Sequence, residues 1–181
     1  MAVWTHLAHD ALSLPATLVT WSSIPTDGTY DHLCIKVSAR TDSSYVYDQY
    51  RIKLNSDSGT NYCSTRLVAH TATPTSHRNT SAANYFDNIY GLPGSAVEAD
   101  TFGSLECWIP HYANSANYKS LIMKGVMPNT STTDNEWFLA LTAGLWTNTA
   151  AITTIRIGNG RPGASDFVAN STFDLYGILG A

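Results

Sequence analysis

Apolar and polar residues alternate with a period of two at several places along the chain. Leu33, Ile35, Val37 and Ala39 interleave with Cys34, Lys36, Ser38 and Arg40. Tyr50, Ile52 and Leu54 interleave with Arg51 and Lys53, and Leu105, Cys107 and Ile109 with Ser104 and Glu106. Phe173, Leu175 and Leu179 share one parity against Asp174 and Tyr176. This is the pattern of strands with one buried face. Residues 16–22, 62–69, 119–126, 137–145 and 151–157 are rich in the same residue types but alternate less cleanly, as strands buried on both faces or carrying a bulge do. Turn signals separate the runs: Pro25 to Gly28, Asn55 to Gly59, Gly91 to Ser95, and Pro128 with Asn129, Thr130 and Ser131. About nine short strands with frequent turns predict an all-β fold, a single-domain antiparallel β-sandwich over residues 16–181.

Three stretches fall outside the pattern. Residues 1–15 do not alternate and are expected to form an N-terminal arm, either reaching a neighbouring subunit or partly ordered. Residues 71–83, all but free of large apolar side chains, read as a long exposed loop. Residues 96–101 predict a short helix or turn. No window shows a capped 3.6 period, an internal repeat or a domain linker.

Composition sharpens the strand reading. Charged residues are 13% of the 181, about half the usual share, so uncharged groups must supply the polar surface. There are 22 Thr but only three Glu and four Lys, the residues that normally clothe a helix. The net charge of −4 and the scattered Lys and Arg argue against nucleic-acid partners. No apolar run approaches the ~18 residues needed to span a membrane. His6, His9 and Asp10 interrupt the start of the chain, against a signal peptide. Cys34, Cys63 and Cys107 are far apart, lack CxxC spacing, and are expected to be reduced and mostly buried.

Candidate chemistry is sparse. There is no GxSxG elbow, and Gly94-Ser95 belongs to a turn. The histidines His6, His9, His32, His70, His77 and His111 form neither HxH nor HExxH, so no metal site is expected; His6 and His9 would meet only on a helix. Asn55 to Gly59 faintly resembles a calcium loop, but its twelfth position is Arg66, and a hairpin turn explains it. Asp27, Asp31, Asp42, Asp48 and Asp57 fall mostly near turns, where Asp is favoured. Gly158 to Gly163 contains Pro and precedes no helix, so it connects strands rather than holding phosphate. Catalytic, cofactor-binding and metal residues are therefore all expected to be absent, and no enzyme is predicted. The five Trp and ten Tyr suit core packing, protein interfaces or sugar stacking.

The close of the chain carries a resemblance. Trp146, then Thr149-Ala150-Ala151-Ile152 to Ile155 and Ile157, then Phe167, Ser171 and Leu175-Tyr176-Gly177-Ile178, resemble the C-terminal signature of a family of tailed-bacteriophage virion proteins. Ile24-Pro25 with Tyr30 and Leu33 to Asp42 looks like that family's first block. Asn55 to Tyr62 is similar to its turn, and Trp108 to Ala113 with Lys119 to a further element. These span most of residues 21–178. The chain departs from the pattern at Asn170, where Gly is usual. The resemblance implies a jelly-roll-like virion protein made in the host cytoplasm. Its expected role is a capsid decoration (cement) subunit, trimeric and bound to other virion proteins. The alternative is a tail or fibre protein that binds a host-surface carbohydrate.

Overall fold

A computed structural model of the chain describes residues 2–70, 74–129, 137–160 and 165–180, with the backbone alone over 80–82. It contains twelve strands: β1 (Val3–Ala11), β2 (Leu18–Trp21), β3 (His32–Ala39), β4 (Tyr47–Leu54), β5 (Tyr62–Ala69), β6 (Thr75–Ala83), β7 (Phe86–Pro93), β8 (Gly103–Pro110), β9 (Lys119–Met127), β10 (Phe138–Trp146), β11 (Ile155–Asn159) and β12 (Thr172–Leu179). No helix occurs among the described residues. The strands form an eight-stranded sheet, ordered β1-β12-β3-β8-β9-β10-β5-β6, and a four-stranded sheet, ordered β2-β11-β4-β7. Every ladder between them is antiparallel.

The strand order makes the expected jelly roll explicit. Without the hairpins β5–β6 and β9–β10, two four-stranded sheets remain, β1-β12-β3-β8 and β2-β11-β4-β7. The chain wraps between them in the manner of a double-sheet jelly roll. Both hairpins join the same side of one sheet and double its width. Leu33, Ile35, Leu105, Cys107, Ile109, Phe173 and Leu175 from the large sheet meet Trp21, Tyr50, Ile52, Leu54, Ile155 and Ile157 from the small one. A second cluster of Val68, Met127, Phe138 and Ala140 packs with Tyr47 and Tyr90 beneath the added hairpins.

Several expectations change. Residues 1–15 are not a detached arm: Val3–Ala11 is β1, paired to β12 from Val3–Leu179 through Ala11–Thr172. Its alternation is hidden because the register slips between His6 and Ala8, making Leu7 a bulge residue. Leu7, Ala8 and Leu12 pack against the core. Within the stretch read as a loop, Thr75–Ala83 is β6, an edge strand whose exposed position needs no apolar face; residues 71–73 lie outside those described. Gly91 to Pro93 end β7, also an edge strand, where a proline costs no ladder bond; the turn begins at Gly94. Residues 96–101 form a turn, and Thr130, Ser131 and 161–163 are outside the described residues.

The strands β9 and β10 carry the most informative correction. Both alternate strictly between buried and less buried positions, so neither is buried on both faces. The alternation is masked because Ile122, Val126, Leu139 and Leu141 occupy outward positions.

Candidate functional site

The outer face of the eight-stranded sheet divides into an aliphatic half and a polar, aromatic half. Register places Leu141 opposite Leu67 and Lys124, Leu139 opposite Val126, and Ala143 opposite Ile122, all on one face. Leu139 is 57% exposed and Leu67 55%, with Ile122, Val126 and Leu141 exposed beside them. The three adjacent strands β5, β9 and β10 thus share an exposed aliphatic surface.

Toward β1 the same face turns polar. Glu106 accepts from Lys36 Nζ at 3.2 Å and Lys124 Nζ at 3.1 Å, across β3, β8 and β9. The Trp108 indole N–H donates to it at 2.8 Å. That hydrogen bond, with the two ammonium groups, outweighs partial burial and holds the Glu106 carboxyl at about 2. Trp4 packs edge-on to Trp108, ring centroids 5.2 Å apart, and against Tyr176 at 5.8 Å.

Beyond Tyr176 lie His6, His9 and Asp174. His6 Nε2 is 2.8 Å and His9 Nδ1 2.7 Å from the same oxygen, Asp174 Oδ1. Sequence reasoning allowed these histidines to meet only on a helix. The β1 bulge brings them together instead: in a regular strand residues three apart face opposite ways, and one extra residue restores them to one side.

On the opposite side of the molecule, the outer face of the small sheet is basic. Arg51, Lys53 and Arg156, three of the ten Lys and Arg, line a cavity of about 340 Å³ with Thr17, Leu18 and Tyr85. Arg156 stands opposite Lys53, and Gly158 opposite Arg51. The Arg51 guanidinium lies 4.5 Å from the Tyr85 ring. Among the described residues none of the three cations has an ion pair. Their scatter in the sequence hid this convergence, although Arg51 and Lys53 share a parity.

The other singled-out residues have local roles. Asn55 and Ser56 take φ of 50° and 54° in a tight turn closed by the Asp57 N–H on the Leu54 carbonyl; it is not the expected hairpin, because it leads from β4 in the small sheet to β5 in the large one. Asp57 accepts from the Gly59 N–H, Asn61 Nδ2 and Trp146 Nε1. Burial alone would raise its carboxyl, but these bonds hold it below the usual range. The remaining aspartates also accept hydrogen bonds: Asp27 from Thr29, Asp31 from Gly180, Asp42 from Asp166, and Asp48, buried within β4, from Ser165. Cys34, Cys63 and Cys107 are free thiols; burial raises Cys34 to about 11 and Cys107 higher. Asn170 has φ of 69°, the left-handed region that Gly and Asn enter most readily.

No family model matches the chain. No curated protein matches it either. Among solved structures it is similar to the CBM2 module of the evolved Dit of Lactobacillus casei BL23 phage J-1, at 9% identity over 94% of this chain and 77% of that one, TM-score 0.20. It is similar to lectin II from Ulex europaeus at 8% identity over 99% and 98% of the two chains, TM-score 0.19. An infectious bursal disease virus VP2 subviral particle follows at 9% identity over 98% and 41%, TM-score 0.11. Scores this low add nothing to what the strand order shows: an antiparallel all-β sandwich.

Proposed function

We propose that this chain is a structural protein of a tailed-bacteriophage virion, a decoration or cement subunit that binds other virion proteins and assembles as a trimer. The observation that carries the reading is the aliphatic outer face of β5, β9 and β10. Interface cores are depleted of charge, and Lys124 is the one charged residue among its outward positions. The added hairpins broaden that face toward the ~800 Å² per partner that a stable contact buries. The resemblance of residues 21–178 to the virion family supports the same reading. Sedimentation velocity of the purified chain, followed by pelleting with empty capsids, tests it. The expected result is a trimer that co-pellets and raises the temperature at which capsids rupture. A monomer that stays in the supernatant would overturn the cement role.

The basic cavity favours a second reading, a tail or fibre protein that binds a host-surface carbohydrate. Tyr85 offers a ring for stacking, and Arg51, Lys53 and Arg156 suit an acidic sugar. A glycan array showing salt-sensitive retention of acidic glycans, lost in Arg156→Ala, is the result expected on this reading. No retention of any acidic glycan would remove it.

A further inference from the structure

We infer that His6, His9 and Asp174 form a binding site for a divalent transition-metal ion, with Zn²⁺ the fitting occupant, that ties strand β1 to strand β12. The donor atoms of the three side chains lie within 4.8 Å of one another. Both imidazoles already aim a ring nitrogen at Asp174 Oδ1. A neutral imidazole that moves its proton to the other ring nitrogen directs a lone pair at the same point. A cation lodged among the three atoms replaces the two N–H groups, with a small shift of both rings away from the carboxylate oxygen.

The fit is geometrically close. Zn²⁺ takes nitrogen and oxygen ligands at about 2.0–2.2 Å, so tetrahedral donors stand roughly 3.4 Å apart. The two nitrogen–oxygen separations of 2.8 and 2.7 Å must open by roughly 0.6–0.7 Å. The His side chains are 47% and 49% exposed and free to make that adjustment, while Asp174 is held at 22%. Two imidazoles and one carboxylate select Zn²⁺, Co²⁺, Ni²⁺ or Cu²⁺ over Ca²⁺ and Mg²⁺, which prefer all-oxygen sites. Three protein donors leave a fourth position for water. The His6 ring packs 5.0 Å from Tyr176, which walls one side.

The site has a structural consequence. β1 is an edge strand held by a single neighbour. His6 and His9 belong to it and Asp174 to β12, so the ion links opposite ends of the sequence. A ligand that binds only the folded chain stabilises it by mass action.

The test is calorimetric titration of the full, tag-free chain with ZnCl₂, alongside Co²⁺ absorption and thermal melts. The expected result is one equivalent bound, cobalt bands of a four- or five-coordinate site, and a melting temperature roughly 5–10 °C higher at a hundredfold excess over Kd. His6→Ala and His9→Ala each weaken binding at least tenfold. Asp174→Asn does the same while keeping side-chain shape, and it decides the matter if an alanine variant fails to fold. His32→Ala, which removes the other adjacent histidine pair, with rings 5.0 Å apart, leaves binding unchanged. Absence of binding to the wild-type chain, retention of the full equivalent in Asp174→Asn, or loss of binding in His32→Ala would each overturn the assignment.

Discussion

Arg40 shows how a single buried charge organises a segment that forms no regular structure. The residue is 9% exposed. Its guanidinium donates to the carbonyls of Glu98 and Thr101 through Nη1, and of Ser95 and Val97 through Nη2. These carbonyls belong to the turn between β7 and β8, which has no strand or helix to satisfy them. Arg40→Met would keep the side-chain bulk but remove all four guanidinium hydrogen bonds, at a cost of roughly 2–4 kcal/mol in urea unfolding. Arg40→Lys recovers little of it, because an ammonium lacks the planar fork that reaches two carbonyls on each side. Glu106 governs a different response. Its carboxyl titrates at about 2 when folded, against an ordinary value of 4.5. A depressed carboxylate adds stability that is fully present above the ordinary value and is lost as pH falls from about 4.5 toward 2. Glu106→Gln is therefore expected to flatten the acid limb of a stability-against-pH curve measured by denaturant titration. An unchanged limb would mean that other carboxylates, Asp57 first, carry the acid response.

At the scale of elements, the bulge in β1 and the close crossing of β7 over β9 both turn on one residue. Gly125 lies so close to Tyr90 that an added Cβ would stand 1.6 Å from the Tyr90 carbonyl oxygen. No side-chain rotation relieves a backbone overlap, so Gly125→Ala is expected to lower stability by about 3 kcal/mol or more, read from its melting curve. Removing residues 1–15 should cost roughly 3–5 kcal/mol, since Leu7, Ala8 and Leu12 leave the core and Trp21 loses its hydrogen bond to Asp10. A detached arm would leave the melting temperature unchanged. These elements also mark the limits of what was legible in the chain. Where one face is buried and the other wet, as in β3 from His32 to Ala39, alternation alone located the strand. Where Leu7 adds a residue, the period breaks and β1 vanished from the pattern. Where both faces are polar, as in β6, burial left no trace to read. The histidine cluster was illegible for the same reason as β1: its spacing belongs to no regular period.

At the scale of the whole molecule, the informative failure is in β9 and β10. Their outward residues are as apolar as their inward ones, so the pattern suggested burial on both sides, yet one side is open. A sequence that conserves solubility would place polar side chains there. The jelly roll does not need these leucines, because its core lies on the opposite face of the same strands. On the proposed reading, stability and association are therefore separable by substitution. Leu139→Glu with Leu141→Glu changes only exposed positions, and position 141 faces Lys124 across the ladder, so the new carboxylate gains a partner. Exposed substitutions of this kind usually shift stability by less than ~0.5 kcal/mol each, which predicts an almost unchanged melting temperature. Burying two carboxylates in a protein contact is far more costly, because each must shed its hydration or be matched by a cation. The double variant is expected to remain folded, to sediment as a monomer, and to stay in solution when empty capsids are pelleted. Should it still assemble and co-pellet at wild-type levels, the contact must lie elsewhere, and the aromatic half around Trp4, Trp108 and Tyr176 becomes the surface to alter next.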